Sequence, residues 1–251
     1  MFAIWVRNMV DFREAQPPVD YKQLPQKRIL CVDMKSFYAS CAAVMEGLDP
    51  LECYLAVVGD KERMGSVVLA ASPKLKKEFG IKTGSRLYEI PKDPRIRIVE
   101  PKMSVFLRVS MEITRLFNRY VPKEAIHVYS VDESFLQLDG TARLWGEAYA
   151  VAEQIKDELE REFQLPCAIG IGPNMLMAKL ALDLEAKKTG IALWTYEDVP
   201  KKLWPVAPLR EMWGIGSRLE RRLNNLIGWA LFQINNCKNL FEYKMLFYLK
   251  W

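Results

Sequence analysis

The chain has 251 residues, half of them hydrophobic, a net charge of +5 and an isoelectric point near 8.8. Such a composition supports one large domain or two to three small ones with real cores, excludes a disordered chain, and is too mildly basic to identify a polyanionic partner by itself. Five cysteines with no C-x-x-C spacing and a single histidine, His127, argue against a zinc site and fit reduced thiols in a cytosol. No apolar run approaches the ~18 residues of a membrane span, and "MFAIWVRNMVDFRE" is a poor signal peptide because Arg7 interrupts it, so a soluble cytoplasmic protein is expected.

Residues 1–27, with Pro17, Pro18 and Pro25 among mixed charges, read as an arm. Order is expected from "RILCV", a continuous apolar run typical of a strand buried on both faces, closed by Asp33. "SFYASCAAVMEGL" has helical composition, and "CYLAVVGD" and "GSVVLAAS" are short strands. Ser72 followed by Pro73 predicts a helix start and Gly80 its stop. Basic residues outnumber acids from Lys74 to Lys102. Residues 103–120 form an amphipathic helix with Val105, Val109, Ile113 and Leu116 on one face. A strand-like "AIHVYSVDESFLQLDG", a helix through "WGEAYAVAEQIKDELEREF", the strand "CAIGIG" and a helix ending near Gly190 follow. Together they predict an α+β fold, a mixed or antiparallel sheet with helices on one face. "LREMWGIGSRLERRLNNLIG" then reads as a helix-hairpin-helix.

Three acids carry the chemistry, Asp33 at one strand end and Asp132 with Glu133 about a hundred residues later. If the two strands are neighbours, three carboxylates converge, and such a cluster is tolerable around divalent cations. Mg²⁺ prefers oxygen ligands, and two such ions ~3.5–4 Å apart can clamp a phosphoryl transfer. Acids at strand ends are more often simply solvated, and spacing alone leaves that alternative open.

"DMKSFYAS" and "SVDESFL" resemble the motifs D-x-(D/N)-x-F-(F/Y)-A and S-x-D-E-(A/S)-(F/Y)-L of the Y-family (translesion, ImpB/MucB/SamB, UmuC-like) DNA polymerases. "GSVVLAASPKLKKEFGIKTG", "AIGIGPNMLMAKLALDLEAKKTG" and "WGIGSRLERRLNNLIG" continue the similarity in the family's order over roughly residues 20–228, nearest to its Bacillus-type UV-damage repair branch. The resemblance implies a palm, small fingers and a helical thumb. It implies that Asp33, Asp132 and Glu133, with the main-chain carbonyl of Met34, bind two Mg²⁺ ions. Tyr38 stands at the steric gate against a ribose 2′-OH, whereas Phe37 reads as core. Lys179 stands at the triphosphate lysine, and Lys76 or Lys77 at a second triphosphate cation. Gly214, Gly216, Ser217, Arg218, Arg221 and Arg222 of the thumb hairpin would bind DNA phosphates.

The domains expected are an arm (1–27), a palm (28–35 and 103–186), fingers (36–102), a thumb (187–228) and an atypical tail (229–251), with no little-finger domain. A truncated or frame-shifted product is the preferred explanation of that tail, and a tail that recruits a partner is the alternative. The function implied is template-directed DNA synthesis past damage in the SOS response, with primer-template DNA, dNTPs and a sliding clamp or other replication protein as partners. The rival is a non-catalytic or weakly active DNA-binding relative with a regulatory role.

Overall fold

The structure, a computed structural model, describes residues 20–230. Two sheets organise it. The larger contains β1 (Ile29–Met34), β5 (Ile126–Val128), β6 (Glu133–Gln137), β7 (Cys167–Gly172) and β8 (Ile191–Leu193), in the order β5-β6-β1-β7-β8. Only β7 and β8 run parallel; β1 is antiparallel to both its neighbours. The smaller sheet, β3-β2-β4, comprises β2 (Tyr54–Val58), β3 (Val68–Ala71) and β4 (Ile96–Val99). The sheet is mixed, as expected, but the strands 96–99 and 191–193 go beyond the sequence pattern, and the latter takes the large sheet past the palm boundary expected at 186.

Period-2 alternation along β1 decides what each face of the large sheet meets. Leu30, Val32 and Met34 point into one core with Leu136, Ile169 and Ile171. That core is roofed by α1 (Phe37–Met45), α3 (Met103–Phe117) and α4 (Ala148–Phe163) through Phe37, Phe106, Ile113, Val151, Ile155 and Leu159. The apolar face of α3 therefore centres on Phe106, Ile113, Leu116 and Phe117; Val109 packs at its margin and Val105 is only half-buried.

Helices do not keep to one face. Ile29, Cys31 and Phe135 point the other way, into a second core with α5 (Met175–Ala181). The reason is the small-residue pattern of β7. Gly172, Gly170 and Ala168 are the partners of Ile29, Cys31 and Asp33 across the ladder and share their face. A Cβ at Gly170 would overlap the backbone of Ala178 and Leu182, so only glycine lets the helix lie this close. The helical path continues beyond α5 through a π turn, Leu182–Ala186, to Thr189.

In the smaller unit α2 (Pro73–Phe79) starts and stops as predicted. The Ser72 hydroxyl accepts from the Leu75 N–H, Pro73 occupies the first turn, and Gly80 closes the helix in the left-handed region. Ser72 is fully buried and also takes the Leu55 N–H at 3.0 Å while donating to the Cys53 carbonyl at 2.7 Å, which ties α2 to β2.

The hairpin region differs from the expectation on its first side. Before the G-I-G turn the helical stretch is Tyr196–Leu203, a 3₁₀ turn running into a π turn, and nearer the turn only Leu209–Glu211 is helical, with Pro205 and Pro208 breaking the path between the two. After it comes α6 (Ser217–Ala230). Within residues 20–27 of the expected arm, Tyr21 and Leu24 pack against the second core: Tyr21 stacks on Tyr196 at 5.7 Å, and the Tyr196 hydroxyl donates to the Pro25 carbonyl at 3.0 Å. The remainder of the arm and tail, residues 1–19 and 231–251, lies outside the described residues. Among those described, no helix is long and apolar enough to cross a membrane.

Candidate functional site

Asp33 and Glu133 are direct partners across the antiparallel β1–β6 pair, so their side chains emerge on the same face. Asp132 lies just before β6; its carbonyl accepts the Met34 N–H at 2.9 Å and its carboxylate accepts from the Ser130 hydroxyl at 2.7 Å. Asp33 and Glu133 thus meet at one end of the central strand pair, with Asp132 next in the chain. That end lies on the α5 face, where Lys179 reaches in from the helix.

Glu133 is buried and doubly held: Lys179 Nζ donates to Oε2 at 2.8 Å and the Cys31 thiol donates to Oε1 at 3.2 Å. Burial and the neighbouring Glu133 charge push the Cys31 thiol far up, which keeps it a protonated donor. Burial alone would lower the Lys179 ammonium, but its bond to Glu133 and the charge of Asp183 outweigh that and raise it. Asp33 is held from outside. Lys187 Nζ lies 3.2 Å from Asp33 Oδ2 and 2.7 Å from Asp183 Oδ1. Burial pushes the Asp33 carboxyl up, Lys187 pulls it back, and Asp132 and Glu133 add repulsion. The acids are thus close enough to feel one another.

Lys76 and Lys77 separate cleanly. Lys76 Nζ donates to the Ser36 hydroxyl at 2.8 Å, and burial lowers its ammonium although Asp33 pulls the other way. Ser36 stands at the sharp β1–α1 turn with φ 51°, a left-handed conformation that costs a non-glycine residue ~1 kcal/mol. Lys77 is exposed on α2 and is not brought to the acids. Tyr38 is half-buried and stacked on Phe106 with centroids 5.0 Å apart, whereas Phe37 is core. Ser217, Arg218, Arg221 and Arg222 are exposed on α6; Glu220 and Leu223 point inward. None of these three arginines makes an ion pair among the described residues, while Arg210 is tied to the buried Glu220 at 3.1 Å. Gly214 has φ 78°, which the turn requires of glycine. A cavity of about 610 Å³ between this turn and Lys187 is lined by Asp183, Arg210, Trp213 and Gly216 among others.

Sequence reasoning passed over Cys31, Ser36 and Lys187. The signal for Lys187 was its spacing of four from Asp183, itself four from Lys179.

Hard carboxylate oxygens are the donors that Mg²⁺ takes. Asp33, Asp132, Glu133 and Asp183 against Lys179 and Lys187 leave the cluster two charges negative, so in donor type and net charge the residues fit a divalent ion. Among the described residues no group of three ligating side chains stands ready for a metal ion, and Lys179 and Lys187 are the partners of Glu133 and Asp33.

Residues 32–183 match the impB/mucB/samB family and residues 196–226 the helix-hairpin-helix motif of the same family. The chain belongs to this family of UmuC-like, Y-family proteins. It is 62% identical over 210 residues to UvrX of Bacillus subtilis (strain 168), covering 83% of this chain and 49% of UvrX. It is 37% identical over 206 residues to DNA polymerase IV 2 of the same organism, covering 81% and 49% of the two chains. It is also 69% identical over 113 residues to the DNA repair protein homolog YozK, which spans 45% of this chain and 98% of YozK. The chain thus spans about half the length of UvrX and of DNA polymerase IV 2.

Among solved structures, a Y-family DNA polymerase chimera, Dbh-Dpo4(243-245)-Dbh, matches with TM-score 0.68 and 25% identity over 79% of this chain and 57% of that one. DinB from Sulfolobus solfataricus matches with TM-score 0.66 and 26% identity, over the same shares. The architecture is that of a Y-family polymerase, and the helix-hairpin-helix expected at the G-I-G turn is part of it.

Proposed function

We propose that this chain carries the catalytic centre of a translesion-type, DNA-directed DNA polymerase. The observation that carries the reading is the pairing of Asp33 with Glu133 across β1 and β6, with Asp132 next in the chain and the half-exposed Lys187 at the edge. In the reaction the primer 3′-oxygen bonds to the α-phosphorus of a dNTP, and the bond to the pyrophosphate oxygen breaks. Asp33, Asp132, Glu133 and the Met34 carbonyl would hold two Mg²⁺ ions, which supply a lower pKa for the attacking hydroxyl and neutralise triphosphate charge.

The lysines divide the remaining work by burial. Lys179, expected at the triphosphate, has a side chain only 7% exposed and spent on Glu133; it holds that carboxylate in place. Lys187, 47% exposed, and Lys76 are better placed to meet phosphate oxygens. Gly214 and Gly216 admit a DNA phosphate to the backbone amides of the turn. Ser217, Arg218, Arg221 and Arg222 add a donor and sequence-independent charge. DNA repair and damage tolerance in the cytoplasm, as part of an SOS response and with a sliding clamp or other replication protein as partner, is the setting we assign. The relatives named for DNA repair and DNA polymerase support the repair and polymerase parts of that assignment.

Primer extension tests the reading. Purified protein with primed template, dNTPs and Mg²⁺ at low salt is expected to extend the primer. No extension would favour the rival reading, a non-catalytic or weakly active DNA-binding relative, for which the lysines seated on Asp33 and Glu133 speak. Tyr38 provides an independent check. Its ring, braced by Phe106, is the surface we assign to exclude a 2′-OH, so Tyr38→Ala is expected to raise ribonucleotide incorporation relative to deoxyribonucleotide by about tenfold or more. An unchanged ratio removes Tyr38 from that role.

A further inference from the structure

Lys179, Asp183 and Lys187 follow at intervals of four along one helical path, but the path widens between them. Leu182–Ala186 form a π turn, a distortion found frequently at functional sites. Asp183 Oδ1 lies 2.7 Å from Lys187 Nζ and 3.4 Å from Lys179 Nζ. Each lysine in turn holds one acid of the sheet, Lys187 on Asp33 and Lys179 on Glu133. Charge therefore alternates through five side chains from Asp33 to Glu133, and Asp183 is the centre of the chain.

The two halves differ in freedom. The Lys179 ammonium is interior and is fixed between two carboxylates. Breaking a pair of that kind leaves an uncompensated buried charge. Lys187 is half-exposed, and its two partners can be exchanged one at a time. An ammonium on a four-carbon stem is a point charge with rotatable donors, suited to changing partners.

We propose that Asp183 is a positioning residue that retains Lys187 at the site when Asp33 releases it, so that the lysine passes from a carboxylate to a triphosphate without leaving the edge of the acid cluster. The inference rests on the polymerase reading above. In the substrate-free protein Lys187 is the cation on Asp33 and competes with any divalent ion for it. Once displaced, it remains on Asp183, beside the cavity that the G-I-G turn and Arg210 complete. Arriving phosphate oxygens then meet a lysine already in place, which reduces the ordering cost of binding.

Two titrations on the full chain test this. The first follows Mn²⁺ binding without nucleotide by electron paramagnetic resonance. Lys187→Met is expected to tighten Mn²⁺ by roughly fivefold, since Asp33 loses its competitor. Unchanged or weaker Mn²⁺ binding overturns the claim that Lys187 competes for Asp33.

The second measures dATP binding by calorimetry with Ca²⁺ as the divalent ion. Asp183→Asn removes a negative charge near an anion, and by charge alone it would strengthen dATP binding. The positioning role demands the opposite sign, a loss of roughly fivefold. Asp183→Asn that binds dATP as tightly as the unaltered protein, or more tightly, overturns the inference alone. Failure of the unaltered protein to bind dATP overturns the polymerase reading and this inference with it.

Discussion

Changing Asp132 to Asn and Glu133 to Gln together is expected to lower primer extension by about a thousandfold or more, equivalent to ~4 kcal/mol of barrier. Both replacements keep shape and remove charge, so the fold is largely retained. With Asp132→Asn, the new amide oxygen would still accept from the Ser130 hydroxyl that now bonds Asp132 at 2.7 Å. With Glu133→Gln, the side chain would still face Lys179, but as a neutral acceptor, and the ammonium would then lean on Asp183 at 3.4 Å. Some loss of thermal stability therefore accompanies the Glu133 change and not the Asp132 change. Asp132→Asn alone separates the two effects: a large loss of extension with an unaltered melting temperature is the expected result. Extension that survives the double substitution would sink the assignment of these acids to the metal ions.

The acids were legible in the sequence because their signal is local. An apolar run ending in Asp33, and an apolar run interrupted by Asp132 and Glu133, each report a strand whose end has been given to charge. Their pairing across β1 and β6 followed once the two strands were neighbours. The cation side was less legible. Lys179 carried the family's spacing, yet its ammonium turns inward to Glu133, and the lysine at the exposed edge is Lys187, placed there by a π turn that no periodicity announces. Strand β4 was missed because Arg95 and Arg97 alternate with its apolar residues in a stretch read as a charge cluster. Strand β8, of three residues, is too short to carry a pattern. Residues 20–27 read as an arm because their order depends on Tyr196, far along the chain. The fold class emerged from composition and element order; the face on which the chemistry lies depended on which strand is small enough to admit a helix.

That dependence gives the largest expected effect on stability. Gly170→Ala is expected to destabilise the protein by about 3 kcal/mol or more, at the upper end of overpacking effects. The new Cβ would lie 2.7 Å from Leu182 Cα and closer still to the Ala178 carbonyl oxygen and the Leu182 amide nitrogen. These are backbone atoms of a packed helix, so no side chain can swing aside to relieve the clash. Gly65→Ala, where an added Cβ meets nothing within 4 Å, is expected to stay within about 0.5 kcal/mol of the unaltered protein. Urea denaturation compares the two, and a Gly170→Ala midpoint equal to the unaltered one would mean that α5 does not sit on the Gly170 face. The functional consequence follows from the same contact. Relief of the clash requires α5 and the π turn to move off β7, and Lys179 and Lys187 ride on that path. A methyl group at Gly170 therefore pulls the two ammonium groups away from Glu133 and Asp33, so nucleotide binding in any Gly170→Ala protein that remains folded should fall along with its stability.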